Sequence, residues 1–131
     1  MAKTFTPVFG QNTVLAKVNF GTANTNRDGT GTIADLYTAP TEGARITYIR
    51  IKATVTTTAG MVRVFVKDSG GTYRLIAEIP IAAFTVSATV QSAEAEFSFT
   101  EPLMMKGSDV LGVSTHNAEN FNAFALGSAF N

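Results

Sequence analysis

In the loop "NTNRDG", Asn24, Asn26 and Asp28 stand at alternate positions and Gly29 follows, with Asp35 eleven residues after Asn24. Oxygen donors at that spacing imitate a calcium-binding loop, in which alternate side chains and a final carboxylate surround the ion. Asn24, Asn26, Asp28 and Asp35 are therefore the metal candidates, and calcium is the ion they would take. Two features weaken that chemistry. Only two of the four are carboxylates, and Asp35 falls inside an expected strand rather than on an exiting helix. Asn, Asp and Gly also suit a polar β-loop, where they supply Asx-turns and left-handed backbone, and this is the stronger reading.

The chain has one histidine, His116, in the polar stretch "STHNAEN". Ser114 and Glu119 are near it in sequence, but a nucleophilic triad is defined by geometry, and no Gly-x-Ser-x-Gly elbow accompanies them. With no cysteine, a zinc site would need carboxylates for its remaining ligands. The stretch "DSGGT" lacks the lysine and helix start of a phosphate loop. Asp28, Asp35, Asp68 and Asp109 include no pair marked as a glycosidase dyad. The residues thus predict no catalytic site and no cofactor.

The elements that would position these groups are strands. "NTVLAKVNF" (12–20) alternates Val14, Ala16, Val18 and Phe20 against polar neighbours. Further strands are expected at 32–39, 44–58, 95–101, 109–115 and 121–127, with a loose connection over 80–94 and a loop at "PLMMKGSD". In the 44–58 strand, Ile46 breaks the parity of Ile49, Ile51 and Ala53, which predicts a bulge near Thr47 and Tyr48. The stretch "MVRVFVKDSGGTYRLIAEI" (61–79) reads as a hairpin around Ser69–Thr72. Its register pairs Val66 with Leu75, Val64 with Ala77 and Val62 with Ile79 on an apolar face. The other face pairs Arg63 with Glu78, a favourable cross-strand pair, and Phe65 with Ile76. About eight strands, turn signals between them and no helical stripe predict an all-β fold. The expected form is an antiparallel β-sandwich, a single jelly roll with an extended N-terminal arm over 1–11 and one sandwich domain over 12–131.

Composition narrows the function. The chain has 131 residues, with ten Lys plus Arg against ten Asp plus Glu. A neutral chain offers no electrostatic footprint for nucleic acid or anionic lipid, and no apolar run is long enough to span a bilayer. The opening "MAKTFTPVFG" lacks the apolar core of a secretory signal. Charged residues make up 15% of the chain, well below the ordinary quarter, which suits a protein embedded in an assembly. Ten phenylalanines are present but no tryptophan and three tyrosines, so sugar-stacking platforms are scarce. Phe5 and Phe9 in the arm, and Phe65 with Ile76 on the second hairpin face, are the expected subunit-interface residues.

The order of "NRDGTGTIADLYTAP", "GARITYIRIKATVTTTAGMVRVFVKDSGGTYRLIAEIPI" and "KGSDVLGVSTHNAENFNAFALGSAF" resembles small jelly-roll virion proteins of tailed bacteriophages, of the head-decoration, head-fibre and minor-structural type. The likeness covers roughly 12–130 and carries no catalytic signature, so no site residue transfers. It implies a non-enzymatic virion structural protein whose partners are other copies of itself and other virion proteins. A homo-oligomer is expected, with a trimer among the arrangements allowed. Without an added receptor-binding or collagen-like segment, a complete host-binding fibre is not expected. The alternative from another class is a ligand-binding β-sandwich, a carbohydrate-binding or adhesion module.

Overall fold

A computed structural model of the chain describes residues 12–131. The arm expected over 1–11, with Phe5 and Phe9, lies outside the described residues. Eight strands follow one another: β1 (Asn12–Phe20), β2 (Ala34–Thr38), β3 (Ala44–Ala53), β4 (Gly60–Lys67), β5 (Arg74–Ile81), β6 (Glu94–Met105), β7 (Val110–Thr115) and β8 (Phe121–Ala129). They form two four-stranded antiparallel sheets, ordered β1-β8-β3-β6 and β2-β7-β4-β5. Every connection but the β4–β5 hairpin crosses from one sheet to the other, which is the jelly-roll topology.

The period-2 patterns decide which side chains are inside. Val14 and Phe20 of β1, Ile46, Ile49 and Ile51 of β3, and Phe121, Ala123 and Ala125 of β8 line the inner face of the first sheet. Val62, Val64, Ala77, Ile79, Leu111 and Val113 meet them from the second. The Phe20 and Phe121 rings stack at 5.8 Å. Burial at roughly 25 cal/mol per Å² of apolar surface makes this seam the main source of stability.

The predicted bulge in β3 is present: pairing with both β6 and β8 shifts between Ile46 and Tyr48. The extra residue, Thr47, restores the parity that returns Ile46 to the core, and its hydroxyl donates to the Leu126 carbonyl at 3.2 Å. Gly127 passes this point so closely that a Cβ there would lie 1.9 Å from the Arg45 carbonyl oxygen.

Two boundaries and one register differ from expectation. β3 ends at Ala53 rather than near Thr58, because Thr57 leaves to bridge Phe84. β6 runs through Pro102 to Met105, where a loop was expected. It is an edge strand, so the missing N–H of proline costs no ladder bond. In the hairpin, Val62, Arg63 and Val64 pair with Ile79, Glu78 and Ala77 as predicted, but Phe65 then pairs with Leu75 and Val66 with Arg74. Ile76 is the extra residue of a bulge, and Phe65 does not face it.

Candidate interaction surface

The outer face of β2-β7-β4-β5 is closed by its own chain. Phe65 has the outward parity that the sequence predicts, yet its exposure is 0%. It belongs to a second small core with Tyr73 and Val110, joined by Ile33 and Leu75. The Phe65 and Tyr73 rings meet edge-on at 6.2 Å, and the Lys67 ammonium lies 4.5 Å from the centre of the Tyr73 ring. The bulge at Ile76 places Leu75 on this side, and the loop between β1 and β2 folds over it. Gly112 and Gly29 allow that closure. A Cβ on Gly112 would lie 2.7 Å from Ile33 and 2.8 Å from the Tyr73 ring, and one on Gly29 would lie 2.1 Å from the Tyr73 carbonyl oxygen. The expectation that Phe65 serves a subunit interface is therefore corrected: its apolar partners are intramolecular. Ile76 remains exposed.

Beside that core lies a polar cluster. Arg63, only 2% exposed, donates from Nε to Glu78 at 3.0 Å, and Arg27 of the covering loop donates to the same carboxylate oxygen at 2.7 Å. The hydrogen bond from Arg27, reinforced by Arg63, holds the Glu78 carboxyl below the usual carboxylate range. Both terminal nitrogens of Arg63 lie 3.3 Å from His116 Nδ1. Guanidinium nitrogens can only donate, so Nδ1 accepts and the ring proton sits on Nε2. Ser114 is Arg63's cross-strand neighbour, and its buried Oγ has no hydrogen-bond partner among the described residues. Glu119 accepts from the backbone and hydroxyl of Thr58. His116 and Glu119 thus fasten separate pieces of chain while the Ser114 hydroxyl bonds to neither, and among the described residues the three form no relay.

The calcium candidates are likewise engaged locally. Asn24 is buried. It donates to the carbonyls of Thr30 and Thr32, while its Oδ1 accepts from the Asn26 backbone. Asn26 donates to the Thr30 hydroxyl. Asp28 accepts from the Thr30 backbone and hydroxyl, bonds that hold its carboxyl below the ordinary value. Asp35, on β2, accepts from the Tyr73 hydroxyl. Burial first, and then Asp35, push the Tyr73 phenol up. Each of the four is thus engaged in a hydrogen bond of its own, the three loop residues within the loop and Asp35 with Tyr73. Among the described residues no group of three His, Cys, Asp or Glu side chains is placed to hold a metal.

The outer face of the other sheet is different. Its register sets four rows across β1, β8, β3 and β6: Thr13–Ser128–Arg45–Met104, Leu15–Leu126–Tyr48–Ser98, Lys17–Phe124–Arg50–Glu96 and Asn19–Asn122–Lys52–Glu94. Leu15 and Met104 are each 63% exposed and Leu126 is 36% exposed, with Tyr48 and Phe124 half-buried between them. None of the described residues folds over them. Arg50 joins Glu94 at 2.5 Å and Glu96 at 2.8 Å. Asn19, Asn120 and Asn122 tie one end together. Lys17 has no ion-pair partner among the described residues. It borders a shallow hollow of about 280 Å³ lined also by Asn19, Asn122 and Phe124. Sequence reading missed this surface because Leu15 on β1, Phe124 and Leu126 on β8 and Tyr48 on β3 belong to strands far apart in the chain. Only the register β1-β8-β3 brings them together.

No protein-family model and no curated protein sequence matches the chain. Among solved structures, Eiger TNF from S. frugiperda overlays 92% of this chain and 96% of its own, at 8% identity and a TM-score of 0.54. At that identity the likeness is one of fold alone, and the fold is the jelly roll. The capsid asymmetric unit of cyanophage Pam1 overlays 97% of this chain and 94% of its own chain, at 18% identity and a TM-score of 0.41. That overlay is too loose to carry an argument.

Proposed function

We propose that the protein is a non-enzymatic structural subunit of a virion, a capsid decoration or minor head or tail protein. It binds neighbouring subunits through the outer face of β1-β8-β3-β6, with residues 1–11 adding to the contact. The observation that carries this reading is the contrast between the two sheets. One outer face is covered around Phe65 and Tyr73 by a 13-residue stretch, 21–33, and a bulge, with Ile76 left exposed at its β5 edge. The other leaves Leu15, Leu126 and Met104 in water beside two half-buried aromatic rings. A continuous apolar strip rimmed by charge is a mark of a protein-binding surface. The sparse charge of the chain and the strand and turn order that resembles small virion jelly rolls support the same reading.

Mass spectrometry and immunogold labelling of density-purified particles from the source virus test it. The chain should be present in many copies per particle and reachable by antibody. Its absence from particles that infect normally would overturn the reading.

A further inference from the structure

The pattern of side chains across the open face specifies its occupant. Charge is divided along the direction perpendicular to the strands. Lys17 stands on β1 at one edge, and Glu94 and Glu96 stand on β6 at the other. Between them run Phe124 and Leu126 on β8, and Tyr48 and Arg50 on β3. We propose that this face pairs with the same face of a second copy, about a two-fold axis lying in the interface, parallel to the strands and between β8 and β3. The inference rests on the subunit-binding role assigned to the face above and names the partner.

Such an axis keeps each row and exchanges the columns, so β1 of one copy lies over β6 of the other and β8 over β3. Leu126 then meets Tyr48, Phe124 meets the guanidinium of Arg50 in cation–π geometry, and Lys17 meets Glu96. Every contact occurs twice, as an isologous interface requires. The hollow beside Lys17, with the amides of Asn19 and Asn122 on its rim, receives the acidic side chains of the opposing β6. A two-fold perpendicular to the strands would instead lay the β6 column of Glu94 and Glu96 over itself and leave Lys17 over β1. Charge complementarity therefore selects the first axis. The area is sufficient. Four strands at ~4.8 Å spacing and nine residues at ~3.4 Å rise give roughly 600 Å² per copy, about 1,200 Å² in all, at the lower end for a specific complex. Aligned packing of two twisted sheets at about −30° is an ordinary geometry.

The test uses the full chain and the variants Lys17→Glu and Glu96→Lys, followed by sedimentation equilibrium and thermal unfolding. The wild type should dimerise. Each variant alone places two like-charge contacts in its homodimer and should associate about tenfold or more weakly, with the melting temperature of the wild type when both are compared at concentrations where the wild type is monomeric. An equimolar mixture of the two should recover dimer, because the heterodimer restores an opposite-charge pair at both positions. Should Glu96→Lys unfold through loss of its bond to Arg50, Leu126→Glu serves in its place and should be monomeric. A wild-type monomer or trimer, or variants whose mixture stays as weak as each alone, would overturn the pairing. A monomer that is still found on particles would sink this pairing and leave the virion role standing, whereas a dimer absent from particles would do the reverse.

Discussion

Phe65 shows how far burial depends on a few neighbours. Its ring is enclosed by Tyr73, Val110, Ile33 and Leu75, so Phe65→Ala should cost about 3–5 kcal/mol and Phe65→Lys should leave no folded protein. Ile76, one bulge away and exposed, should accept Lys with a change of about 0.5 kcal/mol or less. Urea unfolding of the three variants checks this, and a well-folded Phe65→Lys would contradict the enclosed position. Glu78 sets a pH dependence. Its folded carboxyl is held below its ordinary value of 4.5, first by Arg27 and then by Arg63. A depressed carboxylate contributes stability that is complete above the unfolded value and is lost as pH falls through the folded one. Wild type should therefore lose stability below about pH 4.5 more steeply than Glu78→Gln does. Parallel acid limbs in the two unfolding profiles would show that the cluster contributes nothing.

At the scale of elements, the segment between β1 and β2 acts as a lid over the outer side of β2-β7-β4-β5. Gly29 has φ +88° and a Cβ position 2.1 Å from the Tyr73 carbonyl oxygen, so Gly29→Ala is strained twice over. It should cost about 1–3 kcal/mol and speed amide exchange in 21–33 and around Tyr73, while β3 and β8 keep their protection. Uniform loss of protection across both sheets would mean the segment is not a separate lid. Most strands were legible in the sequence because alternation and turn residues are local signals, and even the bulge at Thr47 declared itself through the parity of Ile46. What stayed hidden depended on contacts between distant pieces. The register of 62–64 against 77–79 was readable from charge and apolar pairing, but the shift at Phe65 was not. It sets Leu75 beside Phe65 in a small core that Ile33, remote in sequence, completes. The Asn24 to Asp35 spacing read as an ion loop for the same reason: nothing local shows that Tyr73 takes Asp35, or that Asn24 turns inward to hold Thr30 and Thr32.

For the whole molecule, the two outer faces differ: one is largely covered by a loop and an ion cluster built on the buried Arg63, and the other is left as a mixed apolar and charged surface. The sheet order makes this possible, since β1, β8 and β3 are neighbours only in the folded jelly roll. Leu15 and Leu126 pair across β1 and β8 with both side chains in water, so charge placed there should leave the monomer intact and damage association. The most direct measurement is the fraction of chain that co-sediments with purified virus particles, compared between wild type and the Leu15→Glu, Leu126→Glu double variant at matched melting temperature. The open-face account predicts that wild type sediments with the particles and the double variant stays in the supernatant. Equal incorporation of the two would contradict it and remove the subunit-binding role from this face.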